Sequence, residues 1–204
     1  MTPAKVPLLL PSLALAEAIA EEWRGQGDRL KPADLPLTQL ANTAIDRVAS
    51  DPKPVIDELV SYAGSDLVCY WAEGPESLVE RQRQHWRPLL DDLALRHDAL
   101  LTVHYGVMPR PQPPEALAAL ARHLATLSPF MLTGLTAATS SCGSLVIGLA
   151  LTEGRLTPDE AFELSQLDET YQIEQWGEDA AAAVRRRALR REILDTHRFL
   201  TLAR

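Results

Sequence analysis

A mainly α-helical, compact multi-helix domain with one or two short β segments is the fold class that this sequence predicts, and three observations carry the prediction. Apolar residues recur at helical spacing between stretches punctuated by Pro, Gly and Asp. Thr157-Pro158-Asp159-Glu160 is a capping box with Pro at the first helical position. Only Asp66 to Trp71 and Leu100 to His104 read as extended, whereas Leu124 to Thr152, with no Asp, Glu, Lys or Arg, reads as one or two buried helices.

In chain order, Ser12 caps a first helix to about Arg24, whose face is predicted to be Leu13, Ala16, Ala20 and Trp23, with Trp23 packed in the core; Gly25 and Gly27 end it. Pro36-Leu37-Thr38 opens a second helix to about Ala49, and Pro52 or Pro54 starts a third to about Tyr62. Asp66 to Trp71 is a short strand or extended connector, held in place by Asp66, Cys69 and Tyr70. Asn42 and Asp46, one turn apart, either tie helix to loop or touch a partner.

Pro75 to Trp86 is helical, and Pro88 is expected to begin or kink the next helix. Pro109, Pro111, Pro113 and Pro114 predict a stiff loop before a helix from Glu115 to about Leu127. The uncharged stretch is long enough to span a bilayer, but Pro129 and its Thr and Ser residues favour a buried helical pair and no membrane insertion. Gly134, Gly143 and Gly148 suit close helix contacts. Gly154 marks a turn, and the last helix, about Glu178 to Leu202, starts acidic and continues into Arg185, Arg186, Arg187, Arg190 and Arg191.

Composition narrows the function classes. A chain of 204 residues builds a core without disulfides, and Cys69 and Cys142 read as small buried thiols in a reducing compartment. The net charge of -8 argues against nucleic acid as a partner. Histidines 85, 97, 104, 123 and 197 lack metal-site spacing, and no cofactor or metal is expected. Ser140-Ser141-Cys142-Gly143-Ser144 lacks the Gly-x-Ser-x-Gly elbow, so small residues at a helix contact explain it better than a nucleophile. Between Glu153 and Asp179 nine acidic residues face the single Arg155, so this segment and the arginine-bearing helix are expected to pair, in preference to a phosphate-binding ridge.

The candidate site is the stripe Ser165, Glu169, Gln172 and Trp176, on one line of a helix, with Leu164, Leu167 and Tyr171 on another. A carboxylate, an amide and an indole suit a protein surface; chemistry would also need a nucleophile, a metal or a cofactor cradle. Glu169, flanked by Phe162, Leu167 and Ile173, is costly to place there unless it is paired. A solvated helix face with a core Trp is the competing explanation.

Several motifs then follow one another in a familiar order: Leu13 to Trp23, Pro36 to Asp46, Tyr62 to Tyr70, Gln82 with Trp86-Arg87-Pro88-Leu89-Leu90, Gly143-Ser144-Leu145, and Asp168-Glu169 through Trp176-Gly177. With these the chain resembles the ATP synthase assembly chaperones of the assembly factor 2 type. The resemblance implies an all-helical domain at 12–204, preceded by residues 1–11 as the remnant of a small N-terminal β domain mostly absent from this chain. It also implies a non-enzymatic escort of the alpha subunit of the F-type ATP synthase catalytic head, a monomer when free, in the bacterial cytoplasm or, for eukaryotic relatives, the mitochondrial matrix. Family importance falls on Glu169; Asp168 stands beside it in the same motif, and Gln172 and Trp176 join from the helical spacing. The alternative is a small-molecule hydrolase or transferase with a carboxylate site near Glu169, which requires a deep pocket beside that residue.

Overall fold

The computed structural model describes residues 1–108 and 110–204; Pro109 of the proline-rich loop lies outside the described residues. Ser12 accepts a hydrogen bond from the Leu15 amide at 3.0 Å and starts α1 (Leu13–Arg24). The inward face of α1 is Leu15, Ala18 and Ile19, not the stripe read from the sequence: Leu13 and Trp23 are 74% and 47% exposed. Glu22 supplies the reason. It stands on the same side as Leu15 and Ile19 because its carboxylate accepts bonds from the Leu37 and Thr38 amides at 2.7 and 2.8 Å and from Thr38 Oγ1 at 2.7 Å. A polar residue on the buried side thus disguises that side as the solvent face.

Those amides are orphan donors at the start of α2 (Pro36–Thr43), so Glu22 caps a neighbouring helix. A π turn at Ala44–Val48 carries α2 on to Ala49. There Asp46 accepts from Thr2 Oγ1 at 2.5 Å and from the Ala4 amide at 3.1 Å, tying the first residues of the chain down. After α3 (Lys53–Gly64), Asp66 is fully buried and caps twice, accepting from Val68 N at 3.2 Å in the turn Leu67–Cys69 and from Val146 N at 3.1 Å. Burial pushes its carboxyl up to about 6 even though these bonds and Ser144 favour the charged form.

β1 (Tyr70–Trp71) pairs in parallel with β2 (His104–Tyr105), Tyr70 opposite His104. The second β segment therefore starts at His104 and not at Leu100; Leu101 is core instead. Between them α4 (Glu76–His97) runs 22 residues as one helix with Pro88 inside it, so Pro88 does not begin a new helix. Gln112 pins the loop after β2, accepting from the Thr102 amide at 2.7 Å and donating to its carbonyl at 2.9 Å.

The remaining chain is α5 (Pro114–Leu124), α6 (Pro129–Cys142), α7 (Leu145–Thr152), α8 (Pro158–Ser165), α9 (Leu167–Trp176) and α10 (Ala180–Leu202). The uncharged stretch is the buried pair α6 and α7, in which every residue of α7 is buried. Leu145, Val146, Ile147, Leu149 and Leu151 contribute roughly 1.5–3 kcal/mol each by burial. No helix among the described residues is long and apolar enough to cross a membrane.

Close packing there needs Gly134 and Gly148: a Cβ on the first would meet Leu200 Cδ2 of α10 at 2.4 Å, and on the second Thr139 Oγ1 at 2.6 Å. Gly143 has a different task from the one expected, ending α6 in the left-handed region at φ 65°. Trp86, wholly buried, donates to the Leu164 carbonyl at 3.0 Å, and Trp71 to that of Val68 at 2.9 Å. Cys69 and Cys142 are free and buried; burial raises both thiols, Cys142 to about 12. A second, smaller apolar cluster joins Leu15, Ile19, Leu37 and Ala41 to Phe199 and Ala203.

Candidate partner-binding face

The capping box forms as read from the sequence, with Thr157 Oγ1 accepting from the Glu160 amide while the Glu160 carboxylate accepts from the Thr157 amide at 2.7 Å. It launches α8, and Gln166 passes the chain directly into α9. Leu167 and Tyr171 are the buried residues of α9, as the spacing predicts. Three polar ties then hold α9 against α4. Tyr171 Oη and Ser77 Oγ are 2.7 Å apart, the Arg81 guanidinium forks onto both oxygens of Glu174 at 2.9 and 2.8 Å, and Gln82 Nε2 donates to Asp168 Oδ1 at 2.8 Å.

Gln82 is itself fully buried, its other atom accepting from the Ala72 amide at 2.8 Å, so Asp168 connects α9 to the segment after β1. Burial raises the Asp168 carboxyl above its ordinary value, against the lowering effect of the Gln82 bond. The Arg81 fork holds Glu174 below its own. Arg81 also stacks over the Tyr171 ring, 5.3 Å from its centroid.

On the opposite side two arginines of α10 are engaged within the molecule. Arg190 donates to Asp159 at 2.8 and 3.0 Å, and Arg186 reaches Thr170 Oγ1 at 3.0 Å and Gln166 Oε1 at 3.3 Å while lying over Phe162. The expected pairing of the acidic segment with α10 is thus present. Such pairs are each worth about 0.2–1 kcal/mol where exposed, and together they fix α9 between two helices.

What α9 leaves outward is the rest of the predicted stripe. Gln172 is exposed and Trp176 is 79% exposed, while Glu169 is half-buried and its side chain has no hydrogen bond or ion pair among the described residues. Ser165 turns inward and donates to the Phe162 carbonyl at 2.8 Å. Glu169, Gln172 and Trp176 therefore share one solvent-facing side, and Asp168 stands at its edge, engaged with Gln82.

Two clefts flank the helical body. One runs between α4 and α8 to α10, floored by Leu89, Phe162, Leu164 and Leu167 with Arg81 and Arg186 on its wall; sequence reasoning missed it, since its floor comes from separate helices. The other contains His97, His123 and Glu153. Glu169 lines neither, so the deep pocket required by an enzyme with a carboxylate site there is not among them.

Residues 1–94 match the family model described as ATP12 chaperone protein. The chain is 26% identical over 178 residues to the mitochondrial protein atp12 of Schizosaccharomyces pombe, covering 81% of this chain and 61% of that relative's length. Its fold matches the crystal structure of Atp12 from Paracoccus denitrificans with a TM-score of 0.93 at 42% identity, over 100% of this chain and 87% of that one. A single-residue variant of the Paracoccus protein gives a TM-score of 0.94 at 41% identity with the same coverage. With this identity sustained over its whole length, the chain belongs to the ATP12 chaperone family.

Proposed function

We propose that the chain is an assembly chaperone for the F-type ATP synthase, binding the unassembled alpha subunit and keeping it from aggregating until it pairs with beta. An unassembled subunit exposes the surface its neighbour will cover, and such surfaces associate wrongly unless masked. The contact surface in this proposal is the outward side of α9, with Trp176 as its anchor, Gln172 and Glu169 as polar contacts, and Asp168 as the residue that keeps the helix in place.

The observation that carries the proposal is the exposure of Trp176 on a helix otherwise clamped on both sides. A large ring left in water on a rigid support is a pre-organised contact, since little further ordering is needed when a partner covers it. The polar neighbours make release compatible with recognition, because the free surface remains comfortably hydrated. Light scattering of the isolated alpha subunit with increasing chaperone tests this. Trp176→Ala is expected to weaken protection by roughly 30-fold in the concentration required, the size of a hot-spot residue at about 2 kcal/mol. Glu169→Ala and Gln172→Ala should have smaller effects at unchanged melting temperature. Equal protection by all three variants would remove α9 as the contact surface.

A further inference from the structure

His97 is the last residue of α4, His123 lies in the last turn of α5, and Glu153 is the cap of α7. His97 Nε2 is 2.8 Å from Glu153 Oε1, His123 Nε2 is 3.8 Å from the same oxygen, and one ligand atom from each of the three lies within 4.8 Å of the others. The two imidazoles lie 4.2 Å apart between centroids, with their planes tilted by 48°. We propose that His97, His123 and Glu153 form a binding site for a borderline divalent transition metal such as Zn2+, with a fourth position open to solvent.

The donor set selects the metal class. Two imidazole nitrogens and one carboxylate suit zinc or cobalt and disfavour magnesium or calcium, which take oxygen. Ligands on one tetrahedral zinc stand roughly 3.3 Å apart with bonds of about 2.0–2.1 Å. The two histidine-to-Glu153 separations, 2.8 and 3.8 Å, bracket that value, and all three ligand atoms lie within 4.8 Å of one another, so small side-chain shifts at helix ends complete the site. Three helix C-termini also meet there, and their partial negative charge offsets part of the positive charge of the arginines that line the same cleft.

The surrounding groups fit this use. Arg96, Arg155 and Arg204 line the same cleft, but Arg96 and Arg155 both hold Asp92, and Arg204 donates to the Thr152 carbonyl. Thr152 also lines the cleft, and its buried hydroxyl has no partner among the described residues. The remaining positive charge favours an anion or hydroxide over neutral water in the open position.

The test uses the full chain after chelator treatment, titrated with Zn2+ by calorimetry and with Co2+ by visible absorption, with Mg2+ as a competitor. One saturable equivalent is expected, together with a tetrahedral Co2+ spectrum, a raised melting temperature and no displacement by Mg2+. His123→Gln and Glu153→Gln should each weaken binding by about 100-fold, while His85→Gln, outside the cluster, leaves it intact. Both test positions are partly exposed, and metal-free melting curves verify that the variants fold. Absence of a saturable equivalent, or equal affinity in the wild type and His123→Gln, would overturn the site.

Discussion

Adjacent residues on α1 give the most direct test of the packing described above, because the sequence pattern and the three-dimensional arrangement rank them oppositely. Trp23 reads as core and Glu22 lies off the predicted apolar stripe, yet Glu22 binds three donors and Trp23 is nearly half exposed. Truncating a wholly buried Trp costs about 3–5 kcal/mol with its cavity. Here no closed cavity forms. Half of a ring area of roughly 200 Å² at ~25 cal/mol/Å² gives an upper bound near 2.5 kcal/mol, and a compact denatured chain reduces it to about 1.5–2 kcal/mol.

Glu22→Ala strands two amides at the start of α2 together with the Thr38 hydroxyl, in a half-buried setting that water enters only partly. Three bonds at the lower end of the range for a charged acceptor, ~1.5 kcal/mol each, discounted by roughly a third for the water that replaces them, give a loss of about 3 kcal/mol. Glu22→Gln keeps one acceptor oxygen and should lose roughly half as much. Urea unfolding followed by circular dichroism measures all three variants on one scale. If Trp23→Ala destabilises as much as Glu22→Ala, the inward face of α1 has been assigned wrongly.

Two further expectations concern the core. Gly134→Ala drives a methyl into Leu200, so α6 and α10 must separate; the strain of about 1–3 kcal/mol outweighs the better helix propensity of Ala, and thermal melting should show a net loss. Asp66 has a folded value of about 6 against 3.8 in the open chain, so the folded state binds the extra proton between those values. Its contribution to stability is therefore complete below about pH 4 and falls by about 3 kcal/mol as the pH rises through 6. In Asp66→Asn that slope is absent, and the stability difference between wild type and variant should shift in favour of the wild type on acidification; a pH-independent difference would refute the assignment.

Much of the fold was legible in local signals. Ser12, Thr157 with Glu160, and the prolines at helix starts act within a few residues, so each cap is written in sequence as well as in space. The uncharged stretch announced α6 and α7 because only burial suits it. What escaped were interactions between distant segments. Glu22 caps a different helix from its own, Gly143 serves backbone conformation and not packing, and His97, His123 and Glu153 are joined only where three helix ends converge. On α9 the spacing separated inward Tyr171 from outward Gln172 and Trp176, whereas the commitment of Asp168 to Gln82 depends on a partner far away in the chain.

The smaller apolar cluster has a consequence for biosynthesis. Leu15 and Ile19 leave the ribosome long before their contacts Phe199 and Ala203, which lie about 180 residues further along the chain. Leu37 and Ala41 of α2 can cover part of that face early, but at roughly 5–20 residues per second the part that Phe199 and Ala203 cover stays open for about 10–40 s. Closure of α1 onto α10 therefore waits for synthesis of the intervening helices, and α1 is the segment on which general holding factors would act in that interval.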